Sequence, residues 1–317
     1  MSDKVKVFID GAEGTTGLRI NERFEKRDDI EILHIDPDLR KDADERAKLI
    51  NSSDYTFLCL PDAAAIEAAA LCTNPNTVII DASTAHRTRD DWAYGLPELS
   101  RGHFEKIQSS KRIAVPGCYA SGFIMMAYPL VKEGILGDDY PFAIPALSGY
   151  SGAGKKAIAL YESEDKTPDL FAPREYALAQ MHKHLPEMKK IAGLSKEPIF
   201  IPIVDDYYCG MIVNLPIHAG LMKKRMTAEQ LRDFYAQYYD GQTFIRVPEF
   251  GCEADTNGFL AANKMAGLDY ANIIVTGNDD RIIVSAMFDN LGKGASGAAI
   301  ECLNISMGID PATGLNV

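Results

Sequence analysis

The sequence predicts an α/β protein: a Rossmann-like dinucleotide-binding domain in the first third, followed by an α+β domain. Three observations carry this expectation. Short apolar runs alternate with helix-forming stretches as far as residue 83. A glycine-rich turn joins the first apolar run to the first helical pattern. Beyond Cys118, strand-like runs follow one another with few helices between them.

The runs KVKVFID (4–10), IEILHID (30–36), YTFLCL (55–60) and TVIIDAS (77–83) read as buried strands, and residues 15–27, 42–52 and 62–73 as the helices between them. Strand, helix and strand at this spacing imply right-handed crossovers and a parallel sheet. A further short strand, RIAV, leads into the turn that carries Cys118, and residues 120–132 read as one apolar helix. PFAIPAL, EPIFIPIV, GMIVNLPIH, TFIRV, NIIVTG and RIIVSAMF then read as strands, with one long amphipathic helix at 227–239. Few crossover helices among so many strands predict a mixed or antiparallel second sheet. The stretch REYALAQM (174–181) reads as helical, and Gly294 to Met307 returns to a helical pattern of small residues.

Apolar residues make up 46% and charged residues 25% of the 317, which suits a soluble globular protein with a sizeable core. A net charge of -12 argues against a sequence-independent grip on nucleic acid, although a small basic pocket remains compatible with an anionic ligand. No signal peptide and no apolar run of membrane-spanning length is visible. The six cysteines are scattered without zinc-like spacing, so no metal site is expected and a reducing cytoplasm is.

The first strand runs into Gly11-Ala-Glu-Gly14-Thr15-Thr16-Gly17, a G-x-x-G-x-x-G variant of the dinucleotide fingerprint. Glycines here allow a tight turn and close backbone approach to a pyrophosphate, and the following helix N-terminus offers N–H groups to the anion. The second strand ends at Asp36, where an acid would favour the ribose hydroxyls of NAD; Arg40 and Lys41 follow and would favour the 2′-phosphate of NADP. These residues alone leave the choice even.

Cys118 follows a strand and a Pro-Gly turn and opens a helix. A helix N-terminus and a neighbouring imidazolium both favour the thiolate, the nucleophilic form. His182 and His184, in His-Lys-His-Leu-Pro-Glu187, are the candidate proton carriers. Pro186 is expected to stop the REYALAQM helix, leaving both rings near a negative helix end. His34, His103 and His218 read as structural or surface residues. Gly149-Tyr-Ser151-Gly152-Ala-Gly154-Lys155-Lys156 nearly matches the Walker pattern but lacks its Ser/Thr, which excludes an NTPase while leaving a phosphate cradle open. Arg87 follows the fourth strand at the carboxyl edge of the sheet, where a guanidinium can clamp a carboxylate.

A nucleotide loop, a reactive thiol, a histidine and a phosphate loop together fit thioester-mediated reduction of an acyl phosphate. At these residues the chain resembles the shorter N-acetyl-γ-glutamyl-phosphate reductases of arginine biosynthesis. The likeness rests on Gly11–Gly17, Asp81–Arg87, Tyr94–Glu98, Pro116–Tyr119, Ser151–Gly154, His182–Glu187 and Phe288–Gly297. It implies an α+β domain (118–289) inserted into an NADP-binding domain (1–117 plus 290–317), as in the semialdehyde dehydrogenases. It also implies a Cys118 thioester, proton transfer by one of His182 and His184 with His182 favoured, and NADPH lying near Asn290, Lys293 and Gly294. Substrate binding by Arg87, Ser151, Gly152 and Gly154 and a homotetramer complete the expectation. The nearest competing readings are an aspartate-semialdehyde dehydrogenase and a non-catalytic NADP sensor.

Overall fold

The computed structural model describes residues 4–317. They form two compact units. One takes the chain up to Pro116 and resumes at Ala295–Leu315; the other comprises Gly117–Gly294 with Asn316–Val317. Residues 290–294 therefore group with the second unit.

In the first unit the order is β1 (Val5–Asp10), α1 (Thr15–Phe24), β2 (Ile30–Leu33), α2 (Ala43–Ser52), β3 (Tyr55–Leu58), α3 (Asp62–Leu71), β4 (Val78–Asp81), β5 (Ala93–Tyr94), α4 (Arg101–Ser109) and β6 (Arg112–Ala114). The six strands form one parallel sheet, ordered β2-β1-β3-β4-β6-β5. The central strands β3 and β4 and the second half of β1 bury both faces, which is why they read as continuous apolar runs, whereas β2 at the edge exposes Glu31. Val7, Ile9, Val78 and Ile80 point to one side, where α1, α4 and the C-terminal helix Gly297–Met307 supply Ile20, Phe24, Ile107, Ala299 and Leu303. Phe8, Leu58 and Ile79 point to the other, against Ile50 of α2 and Ala65 and Ala68 of α3. Arg27 fastens the C-terminal helix by donating to Asn304 at 2.7 Å while pairing with Asp29.

The second unit contains α5 (Cys118–Lys132), β7 (Ala143–Gly149), α6 (Lys155–Tyr161), β8 (Arg174–Glu175), α7 (Leu185–Ala192), β9 (Ile199–Asp205), β10 (Met211–His218), α8 (Ala228–Tyr238), β11 (Ile245–Arg246), β12 (Ala271–Gly277) and β13 (Arg281–Phe288). Its seven strands run β11-β12-β13-β10-β7-β9-β8, mixing parallel and antiparallel pairs as expected. Helix α5 packs on β10 and β13 so closely that a Cβ on Gly122 would lie 2.6 Å from Val213 Cγ2. The expected helix over 174–181 is absent. Arg174 and Glu175 instead pair with β9, Ala177 and Gln180 take positive φ, and the Gln180 side chain bonds both the N–H and the carbonyl of Phe200. That side chain extends the ladder of β9 where the backbone has left it, an option helix propensity does not register. No helix among the described residues is long and apolar enough to cross a membrane.

Helix α5 carries an internal proline, Pro129, which has no N–H for the carbonyl of Met125 four residues earlier. Tyr239, at the end of α8, donates its hydroxyl to that carbonyl at 2.6 Å, and Tyr235 donates to Met126 at 2.7 Å. Both phenols are buried. Replacing Tyr239 with Phe leaves a buried carbonyl unsatisfied and is expected to destabilise the protein by about 1–3 kcal/mol in urea unfolding. The same change in a Pro129→Ala background, where the helix regains its own donor, is expected to cost clearly less. Equal costs in both backgrounds would show that the hydroxyl does not replace the missing donor.

Candidate active site

The switch point of the parallel sheet lies between β1 and β3, where the chain leaves β1 for the glycine loop. Gly11 has φ +89, and a Cβ there would lie 2.4 Å from the Cys59 carbonyl oxygen; one on Gly17 would lie 2.5 Å from Gly11 O. Both positions therefore exclude any side chain. Gly14 caps α1 with no side-chain hydrogen bond, so the first amides of Thr15, Thr16 and Gly17 begin the helix without a side-chain acceptor at its cap. Beside this loop is a cavity of about 410 Å³, lined by Gly11, Glu13, Gly14, His34, Arg40 and Lys41 together with apolar residues of β1, β2 and the end of β3. Asp36 is not part of that lining; its carboxylate accepts from the Asp38 N–H and shapes the turn. His34, which sequence reasoning set aside, does line the cavity. Cys59 lines it too, but burial, helped by Asp81 and Asp10, pushes its thiol up to about 12, so it remains protonated.

At the end of β4, Asp81 accepts from the Ser83 N–H and hydroxyl and pairs with His86 Nδ1 at 2.6 Å, while the His86 ring stacks on Trp92. Arg87, next in sequence, is buried. It donates Nε to the Val115 carbonyl at 2.8 Å and Nη2 to the Ala82 carbonyl at 3.0 Å, tying the loop after β4 to the strand edge.

In the second unit, Cys118 is the first residue of α5 and is partly exposed, while α5 is buried from Tyr119 to Ala127. A Cβ on Gly294 would come within 3.0 Å of Cys118 Cβ, so the sulfur-bearing turn packs directly on backbone. The preceding amide, Gly117 N–H, donates to Glu187 Oε2 at 3.2 Å, and Glu187 is buried in the first turn of α7. Around Tyr119 gather Tyr176, His182, His184 and Phe200, with ring centroids 5.1–6.4 Å away. Tyr119 and Tyr176 are hydrogen-bonded to each other. Burial first, then Tyr176 and the Cys118 thiol, raises the Tyr119 phenol well above its usual range; burial and Cys118 likewise raise Tyr176. Both phenols stay protonated and can donate.

The two imidazoles lie 4.6 Å apart, nearly perpendicular. The expectation that they follow a helix is overturned. His184 is the cap residue of α7, and Pro186 stands within that helix's first two positions, where a proline is tolerated because its missing N–H has no helical partner. Proline here opens a helix instead of closing one, so the rings precede a positive helix end and the argument from a negative end falls away. His184 is buried and His182 half-buried. The His184 N–H points to His182 Nδ1 at 3.1 Å, so that nitrogen accepts and a neutral His182 ring carries its proton on Nε2.

The Walker-like loop is built differently from a phosphate cradle at its start. Tyr150 and Ser151 donate their N–H groups to the carbonyls of Tyr207 and Tyr208, and only at Gly154, with φ +84, does the chain turn into α6. Asn290 braces this loop: its Oδ1 accepts from Gly210 N–H and its Nδ2 donates to the Ser151 hydroxyl, both at 2.9 Å. Gly152 lies against the same amide. Lys293 is fully buried, with Nζ 5.0 Å from the centre of the Phe244 ring. His182 and His184 thus gather on Tyr119, the residue after Cys118, and Ser151 and Gly152 gather on Asn290. Arg87 and Gly11–Gly17 belong to the other unit. Glu187 and Tyr176 were missed as site residues; the signal for Tyr176 was hidden by the false helix over 174–181. Among the described residues no three His, Cys, Asp or Glu side chains are grouped to hold a metal ion.

The model of the semialdehyde dehydrogenase NAD binding domain matches residues 6–107, and that of the semialdehyde dehydrogenase dimerisation domain matches residues 118–290. The N-acetyl-gamma-glutamyl-phosphate reductase 2 of Nostoc sp. is 43% identical over 322 residues, covering 99% of this chain and 100% of the relative. The N-acetyl-gamma-glutamyl-phosphate reductase 2 of Pseudomonas putida is 42% identical, with 97% and 98% covered. Among solved structures, an aspartate semialdehyde dehydrogenase from Francisella tularensis superposes with a TM-score of 0.71 at 18% identity, covering 95% of this chain and 99% of that one. Aspartate semialdehyde dehydrogenase II of Vibrio cholerae gives 0.70 at 15%, covering 96% and 99%. At those identities the structures speak for the fold alone. The sequence relatives go further: the chain belongs to the N-acetyl-gamma-glutamyl-phosphate reductase family, oxidoreductases built on the semialdehyde dehydrogenase fold.

Proposed function

We propose that the protein reduces N-acetyl-L-glutamyl 5-phosphate to N-acetyl-L-glutamate 5-semialdehyde and phosphate, with NADPH as reductant and Cys118 as the acylated residue. The observation that carries the reading is the placement of Cys118. It is a partly exposed thiol at the first position of a buried helix, and the next residue, Tyr119, has its ring 6.2 and 6.1 Å from the His182 and His184 imidazoles. The Cys118 thiolate attacks the acyl carbonyl; a C–S bond forms as the C–O bond to phosphate breaks. NADPH, when bound, supplies the hydride that takes the thioester to a thiohemiacetal. His182 moves the proton to and from the thiohemiacetal oxygen, and loss of the thiolate yields the aldehyde. His184 holds His182 through its N–H and keeps the neutral ring's proton on Nε2.

The glycine loop fits the nucleotide, since Gly11 and Gly17 admit no side chain and let the chain turn tightly from β1 into the N-terminus of α1. Gly11, Gly14, Thr15, Thr16 and Gly17 would hold the pyrophosphate. Arg40 and Lys41 in the cavity lining, with Asp36 turned to its own loop, support NADP over NAD. Ser151, Gly152 and Gly154 are assigned to the leaving phosphate, and Arg87 to the substrate carboxylate. Asn290 supports Ser151, Gly294 leaves the thiol room, and Lys293 adds a buried amine in the second unit. The working enzyme is taken to be a cytoplasmic homotetramer; the dimerisation-domain match supports oligomerisation.

The direct test is phosphate-dependent oxidation of N-acetylglutamate semialdehyde by purified protein. Turnover with NADP is expected, with none on aspartate semialdehyde; the opposite substrate preference would overturn the reading. Cys118→Ser is expected to lower kcat by about a thousandfold or more while nucleotide affinity is unchanged. His182→Asn is expected to lower kcat about a hundredfold or more and to flatten one limb of its pH profile. Unaltered turnover in either variant would remove that residue from the mechanism. Gly11→Ala is expected to weaken NADPH binding at least about tenfold, measured by nucleotide fluorescence, because both its Cβ and its φ conflict with the loop.

A further inference from the structure

Across the nucleotide cavity of the first unit, two of its lining residues are joined to each other. Arg40 Nη1 lies 2.7 Å from each carboxylate oxygen of Glu13, an acid inside the glycine loop, 27 positions away in sequence. The pair is half-open to solvent, with side chains 51% and 68% exposed. It is therefore held by a modest attraction that a stronger anion can replace. Lys41 and His34 line the same cavity, whereas Asp36 does not. A 2′-phosphate is the nucleotide group that suits this cationic side, and it carries more charge than a single carboxylate.

From this arrangement, and resting on the NADP reading above, we propose that Glu13 sets cofactor selectivity by competing for Arg40. When the incoming nucleotide carries a 2′-phosphate, Arg40 leaves Glu13 and pairs with the phosphate. The vacated carboxylate then stands on the same cavity wall as the new anion and opposes it. When the nucleotide has only a 2′-hydroxyl, Arg40 stays on Glu13 and contributes no phosphate contact. Glu13 thus acts selectively: its charge weakens 2′-phosphorylated nucleotides and leaves the others nearly untouched. No bond is made or broken; one ion pair is exchanged for another. The protein then holds a 2′-phosphorylated nucleotide, in either redox state, less tightly than Arg40 and Lys41 alone would allow.

The test is calorimetric titration of the whole protein and its Glu13→Gln and Arg40→Ala variants with 2′,5′-ADP and with 5′-AMP, at low and moderate salt. Glu13→Gln is expected to tighten 2′,5′-ADP by about threefold to fivefold and to shift 5′-AMP by less than about twofold. Arg40→Ala is expected to weaken 2′,5′-ADP by about tenfold or more, again with little change for 5′-AMP. If Glu13→Gln leaves 2′,5′-ADP unchanged, or moves both ligands together, the competition is refuted while the NADP reading stands. If the unaltered protein binds 2′,5′-ADP no better than 5′-AMP, the NADP reading itself fails, and this inference fails with it.

Discussion

Gly117 donates its amide hydrogen to Glu187, a carboxylate only 1% exposed, and the geometry around the thiol depends on that bond. A hydrogen bond from backbone to a buried carboxylate is stronger than one between neutral groups, and its loss would leave the acid buried without that donor. Its position matters as much as its strength. Gly117 caps α5, whose next residue is Cys118; Glu187 belongs to the first turn of α7, whose cap is His184. Helix α5 and helix α7, which His184 caps, therefore meet at their N-termini, with this bond among their contacts. Carboxylate charge between two positive helix ends is favourable on electrostatic grounds as well.

The far half of α5 is fixed by a similar device. Pro129 deprives Met125 of its helical donor, and the hydroxyls of Tyr239 and Tyr235 from α8 bind the Met125 and Met126 carbonyls. At each end, a side chain from another helix holds backbone of α5. Between those ends the helix is nearly all buried and lies on β10 and β13 through Gly122. A side chain at the tip of so constrained a rod has little freedom to wander, which suits the role proposed for Cys118.

Much of the fold was legible because buried parallel strands announce themselves as unbroken apolar runs, and the βαβ rhythm does the rest. IEIL, YTFL and VIID are strands where the runs occur, and the mixed second sheet follows from six apolar runs with few helices between them. What misled was local chemistry with two readings. Pro186 near a histidine pair looks like a helix stop, yet proline is equally at home in a first turn; only the packing of Leu185, Glu187 and Met188 decides. Arg174–Met181 has good helix formers, but Gln180 bonding to Phe200 holds it along β9. Asp36 invites a ribose by its position at the end of a strand, whereas its carboxylate closes a local turn. The place of Cys118 at the start of a helix was legible from the Pro-Gly turn before it; the approach of Tyr176 and Glu187 depends on long-range contacts that no local pattern contains.

A chain with a net charge of -12 is an unpromising host for anionic ligands, and the way its helices begin answers part of that difficulty. Helices α2, α4 and α8 open with Asp42, Ser100 and Thr227, each accepting a first-turn amide through its side chain. The remaining helices have no such cap, and among them α1 and α5 open with glycine, Gly14 and Gly117. A capping side chain would occupy the N–H groups that an incoming anion needs and would place its own oxygen in the way. With glycine as the cap residue, leaving it out costs each helix only about a few tenths of a kcal/mol. In return, the positive end of α1 carries no side-chain acceptor and stays open toward the proposed pyrophosphate, while that of α5 meets the Glu187 carboxylate at Gly117 N–H. Local backbone dipoles, and not the sign of the whole surface, then determine where negative charge is welcome.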